Sequence, residues 1–194
     1  MAANPQPESL HGIPMTEEAF ERLIDVESPY RYELIDGIVY DMTGSSVEHA
    51  DIAGNIYTLL RQQLDKFGHC RVYQEQYVKI PDHPSAIPDV VVTCNIADRE
   101  KEKRAKPFKV QSPLIIVEVL SPSTERYDRG GKFVKYQHCP TLQVYILASQ
   151  DEEYVEVYRG VTGWRQERFT LGQTIQLNQL NLELPLDAIY KGVF

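Results

Sequence analysis

The stretch PLIIVEVL at 113–120 constrains the fold more than any other segment of this chain. Leu114, Ile116 and Leu120 alternate with Ile115, Val117 and Val119, so a strand here is apolar on both faces and must be covered on both sides. That predicts the central strand of a layered α/β sheet. Glu118 shares the face of Ile116 and Leu120. An unpaired carboxylate there is costly enough that it must take up a proton, find a cation, or end at the wet rim of the sheet beside a metal.

With 194 residues, 42% hydrophobic and 25% charged, the chain can build one good-sized core. A single domain is expected over 13–194, preceded by a disordered tail at 1–12. No apolar run approaches the roughly 20 residues of a membrane helix, and MAANPQPESL lacks the basic flank and apolar segment of a leader. A soluble, cytoplasmic protein is expected. Cys70, Cys94 and Cys139 fit neither a zinc knuckle nor a disulfide framework by spacing, and are expected as buried thiols in a reducing compartment.

The net charge of −8 argues against a non-specific nucleic-acid coat, because phosphate contacts need Lys and Arg on one face. It leaves room for a nuclease, in which acidic residues around a divalent ion attract phosphate once the ion is bound.

MTEEAFERLID has helical spacing with Thr16 as N-cap. Asp36-Gly37 lies between two alternating runs and predicts a tight hairpin. Ser45 and Glu48 are spaced as a capping box for a helix to about Lys66, with a stripe of Ile52, Ile56, Leu59 and Leu60 and Gly68 at its end. Strands are expected at 70–80 and 88–94, separated by the turn PDHPSAIP. The basic ADREKEKRAKP reads as an exposed loop. SPST makes a turn, KFVKYQHC a short helix with a start weakened by Gly130 and Gly131, and LQVYILA another buried strand. From 153 onward, short alternating runs predict an antiparallel meander.

The order helix, strand, strand, strand, helix, strand, with Pro88-Asp89 and a buried Glu118 downstream, resembles the core of the PD-(D/E)XK nuclease superfamily. The longer pattern of YELIDG at 32–37, His49 at a helix start, PDVVV at 88–92, and VEVLSPST at 117–124 with Asp128, Lys132 and Tyr136 is similar to the Uma-two family of restriction-endonuclease-like proteins. The resemblance implies a restriction-endonuclease-like core: a mixed central β-sheet flanked by α-helices, with an N-terminal hairpin. It also implies a Mg²⁺- or Mn²⁺-dependent endonuclease acting on DNA. Asp89 and Glu118 would be metal ligands, the Val119 carbonyl a third oxygen, and Glu33 a direct or water-mediated ligand. The superfamily's lysine stands two residues after the glutamate, where this chain has Leu120. Lys132, one turn from Asp128, is the replacement.

Each residue also has a structural reading. Asp89 can cap a turn, and Glu118 can pair with Arg126 or Lys132. Glu33 can be solvated, and Asp128 with Lys132 can form a surface pair. His49 fits best as a core histidine on the face of Ile52 and Ile56, and Tyr136 as core. The basic run is the local candidate for phosphate contact. A self-associating, non-catalytic protein of the same fold and a hydrolase of small phosphoesters are the alternatives. A symmetric homodimer, paired through an edge strand of the hairpin or the meander, would suit a protein that cuts two strands.

Overall fold

A computed structural model describes residues 9–66, 68–100 and 107–194. Its centre is a six-stranded mixed sheet in the order β4-β5-β6-β7-β8-β9. The strands are Arg71–Gln74, Val90–Thr93, Ile115–Leu120, Val144–Ser149, Tyr154–Arg159 and Gln166–Thr170. Only β6 and β7 run parallel. A parallel pair needs a crossover, and the helical segment after β6 supplies it.

β6 is the predicted central strand, buried along its whole length. Ile115, Val117 and Val119 pack into one core with Ile52, Ile56 and Leu60. Ile116 and Leu120 face the opposite core, with Phe133, Tyr136 and Tyr145. Each fully buried aliphatic or aromatic side chain contributes roughly 1.5–3 kcal/mol, so the register of β6 is fixed from both sides.

The N-terminal strands form their own sheet in the order β1-β3-β2, from Ile13–Pro14 (β1), Tyr32–Ile35 (β2) and Ile38–Asp41 (β3). Asp36 and Gly37 take φ of 50° and 78°, as a tight hairpin turn between β2 and β3 requires. Helix α1, Glu17–Ile24, is capped by Thr16, which accepts from the Ala19 N–H at 3.3 Å. Of the expected tail, residues 1–8 lie outside the described residues. Ser9 bonds to Asp41, and the Gly12 N–H donates to the Val39 carbonyl at 2.8 Å.

Helix α2, Val47–Leu64, starts one residue later than the capping-box spacing suggests. Ser46, not Ser45, is the cap, accepting from the His49 N–H at 3.1 Å. Its buried stripe is Ile52, Ile56, Leu60 and Leu64. Gly68, at φ 65°, donates to the Leu64 carbonyl and ends it. The basic stretch begins in a short helix α3, Ile96–Arg99, capped by Asn95, and residues 101–106 of it lie outside the described residues.

The helix expected at KFVKYQHC begins earlier. Helix α4 (Glu125–Tyr127), a π turn (Asp128–Lys132) and helix α5 (Phe133–Tyr136) run on without a break. Gly130 and Gly131 do not delay the helix but sit inside the π turn, whose extra residue rotates the side chains around it; such bulges are frequent at functional sites. A Cβ on Gly131 would come within 3.2 Å of the Tyr127 ring.

The C-terminal meander divides. β8 and β9 extend the central sheet, while Thr174–Leu177 (β10) and Leu182–Pro185 (β11) form a separate hairpin that, with helix α6 (Leu186–Ile189), covers α2.

The expectation of three thiols is corrected. Arg71 opposes Thr93 in the β4–β5 ladder, so Cys70 and Cys94 fall across from each other and are joined by a disulfide, leaving Cys139 as a buried thiol. Spacing in the sequence could not reveal a pairing set by strand register. No helix among the described residues is long and apolar enough to cross a membrane.

Candidate active site

Asp89 immediately precedes β5. The β5–β6 register, Val90 opposite Val117, carried one step further sets Asp89 opposite Glu118. The two strands part at this point, because the Val119 N–H donates 2.6 Å to Asp89 Oδ2. Asp89 Oδ1 lies 2.9 Å from His49 Nε2. His49 is therefore not the satisfied core histidine its helical position suggests. The first turn of α2 overhangs the sheet rim, so the ring meets a carboxylate there instead of the apolar core.

Glu118 is almost fully buried, and its compensation is explicit. Lys132 Nζ lies 2.9 Å from Glu118 Oε1, 3.0 Å from Glu33 Oε1 and 3.6 Å from Asp128 Oδ1, and donates to the Ile87 carbonyl at 3.2 Å. The Tyr136 hydroxyl donates to Glu118 at 3.2 Å, so the expected core tyrosine also serves the carboxylate. Glu33 is buried, not solvated, and accepts from the Ile87 N–H at 3.0 Å. Asp128 and Lys132, for which a surface pair was the structural alternative, are each 3% accessible and lie in the π turn. Arg126, the alternative partner for Glu118, makes no such pair.

One ammonium among three buried carboxylates leaves the cluster short of positive charge. Burial raises Glu118 well above the usual carboxylate range despite Lys132 beside it. Burial likewise pushes Asp128 up to about 6. For Lys132 burial disfavours the charge, but Glu118 and Glu33 outweigh it, and the ammonium holds its proton well above the ordinary lysine range. Burial of His49 is similarly outweighed by its hydrogen bond to Asp89 and that residue's charge, raising the imidazole.

Among the described residues no group of three His, Cys, Asp or Glu side chains is gathered closely enough to hold a metal ion. The donor chemistry nonetheless fits a hard divalent cation. The available ligands are carboxylate oxygens, which Mg²⁺ prefers, and Glu33 Oε2 is buried with no hydrogen-bond partner.

Asp89, Glu118, Val119, His49, Asp128 and Lys132 all line one cleft of about 1410 Å³. The 41–46 segment leading into α2 and the 121–131 segment that carries the π turn both contribute to its lining. Sequence reasoning missed the pairing of His49 with Asp89 and the hydroxyl of Tyr136 on Glu118. The positions of His49 at a helix start and of Tyr136 one turn past Lys132 were the available signals.

A layered mixed sheet with an acidic pair where two strands part, opposite a helix bearing lysine, defines a restriction-endonuclease-like fold. In agreement, the crystal structure of a "putative nuclease belonging to DUF820" from Anabaena variabilis superposes with a TM-score of 0.73 at 20% identity, covering 93% of this chain and 100% of that one. The chain belongs to the Uma2 family, described as "Putative restriction endonuclease", whose model matches residues 17–187. Two proteins of Synechocystis sp. are similar. The uncharacterized protein slr1290 is 35% identical over 84% of this chain and 85% of its own length. The uncharacterized protein sll1609 is 31% identical over 66% and 72%.

Proposed function

We propose that this chain is a divalent-metal-dependent endonuclease that hydrolyses DNA phosphodiester bonds. Asp89 and Glu118 would hold Mg²⁺ or Mn²⁺, with Glu33 and the Val119 carbonyl as further oxygen donors. The ion, when bound, neutralises charge at the phosphate and makes a nucleophilic water available at neutral pH. His49 and the Val119 N–H orient the Asp89 carboxylate, and Lys132 supplies the ammonium that Leu120 cannot. The observation that carries this reading is that Asp89, Glu118, Val119 and Lys132, brought from three separate elements, line one cleft.

The test is cleavage of supercoiled plasmid in Mn²⁺ or Mg²⁺. The parent is expected to nick and linearise it, EDTA to stop the reaction, and Lys132→Ala to slow it by about 100-fold or more. An intact plasmid with the parent, or equal cleavage by the variant, refutes the assignment.

A non-catalytic role on the same fold is favoured by one observation: both Asp89 oxygens already have partners, in His49 and the Val119 N–H. That reading requires the plasmid to stay intact under every metal. A hydrolase of small phosphoesters would suit the charge of −8, and its activity would lack the steep salt dependence of DNA binding.

We also propose a homodimer, paired through the β9 edge of the central sheet, which would present one site to each DNA strand. A solution mass of two chains is expected, and a mass of one chain would exclude it.

A further inference from the structure

The guanidinium fork matches carboxylates and carbonyls, and an arginine near such groups tends to take them as acceptors. Almost all the described arginines here obey that rule. Some rest against carboxylates, as Arg61 does on Asp65 and Arg159 on Glu167, and others against backbone carbonyls, as Arg165 does on Thr162. Arg31 and Arg126 make no side-chain hydrogen bond or ion pair with any described residue, and both line the cleft.

Their backbones are held in place. The Arg31 N–H donates to Thr43 Oγ1 at 3.0 Å and its carbonyl accepts from the Met42 N–H at 2.7 Å, which fixes Arg31 against the 41–46 segment. Arg126 lies in α4, in the other lining segment, where Glu125 is committed to Arg129 at 2.8 Å. Asp36, Asp41, Glu75, Asp89 and Asp128 share the cleft, yet none comes within ion-pair distance of either guanidinium. Two exposed guanidinium forks with no partner among the described residues, lining an acidic cleft, can take an anion from outside. Planar guanidinium groups bind phosphate oxygens in bidentate fashion.

We propose that Arg31 and Arg126 clasp the phosphates on either side of the scissile bond, one from each lining segment, so that the cleft takes a nucleic-acid strand by its backbone. This rests on the nuclease reading above and deepens it. The basic stretch near residue 100 is then not needed for binding at the site. The two arginines also resolve the conflict between an acidic protein and a polyanionic ligand, since attraction is confined to the two points where the strand must be held.

The experiment measures anisotropy of a short labelled oligonucleotide, single-stranded and duplex, titrated with the full chain in Ca²⁺ over a series of salt concentrations. Arg31→Ala and Arg126→Ala are each expected to weaken binding by roughly tenfold. Each should also make the plot of log affinity against log salt shallower by about 0.7 for a single strand or about 0.9 for a duplex. Arg126→Lys should retain the slope, and Arg165→Ala, away from the cleft, should match the parent. An oligonucleotide carrying a neutral methylphosphonate beside the scissile position should erase the effect of one arginine and not the other. If the parent binds and the two alanine variants bind equally well with the same slope, the clamp is wrong and the nuclease reading stands. If the parent binds neither strand form, both fall.

Discussion

Lys132→Met is expected to destabilise the protein by about 3–5 kcal/mol at pH 8, the loss typical when one partner of a buried ion pair is removed. In a domain of this size that lowers the thermal midpoint by roughly 6–20 °C. The ammonium is 3% exposed and, among the described residues, is the one cation in contact with Glu33, Glu118 and Asp128. Methionine fills the volume but leaves three buried carboxylates facing one another. They can escape only by taking up protons, so the loss must depend on pH.

The sign follows from the direction of the shifts. Asp128 has its pKa raised from 3.8 to about 6, and Glu118 is raised well above 4.5, both by burial. A carboxylate raised on folding binds its proton more tightly when folded, so its contribution favours the fold at low pH and falls as pH rises. For Asp128 that decline runs from about pH 4 to about pH 6. Without Lys132 the shifts grow, and the gap between variant and parent should be small near pH 4 and widest above pH 7. Urea titrations at several pH values measure this. The triple variant Lys132→Met, Glu33→Gln, Glu118→Gln should recover much of the loss at pH 8, because it removes the stranded charges along with their partner. A single-variant loss below about 1 kcal/mol, or one constant with pH, would mean that the cluster is solvated and not a buried charge network.

The sequence carried the central strand because β6 is apolar on both faces, and it carried the hairpin because Asp36-Gly37 leaves few turn geometries open. Asp89, Glu118, Glu33 and Lys132 were legible as a group through the spacing of the family's motif, and in the folded chain they line or border one cleft. The errors share a cause. The π turn, the role of His49 and the Cys70–Cys94 pairing are set by how elements meet, and local propensity does not encode that. Two glycines lower helix propensity, which argued for a late start, yet both sit inside the π turn, where the missing side chain of Gly131 leaves room for the Tyr127 ring. His49 shares a helical face with Ile52, but a helix that overhangs the sheet changes surroundings along its length. The free arginines could not be seen at all, because being unpaired is a property of the assembled cleft.

Asp89→Asn combined with Glu118→Gln is expected to abolish saturable binding of Mn²⁺ and Mg²⁺ while keeping the fold. Asparagine retains an oxygen for the Val119 N–H, and glutamine keeps an acceptor for Tyr136, so loss of binding would report on charge and not on collapse. The parent, at a metal concentration of 100 times its Kd, should gain about 2.7 kcal/mol of stability against denaturant, and the double variant nothing. The raised pKa of Glu118 adds a second signature. A carboxylate that carries a proton must release it to accept a cation, so affinity should rise with pH, and binding should eject protons detectable by calorimetry in buffers of different ionisation enthalpy. A structural cluster has no reason to show either effect. Absence of both heat and stabilisation in the parent, with and without DNA, would make Lys132 the permanent counter-ion of Glu33, Glu118 and Asp128. The same buried charges would then be a structural lock between the N-terminal sheet, β6 and the π turn.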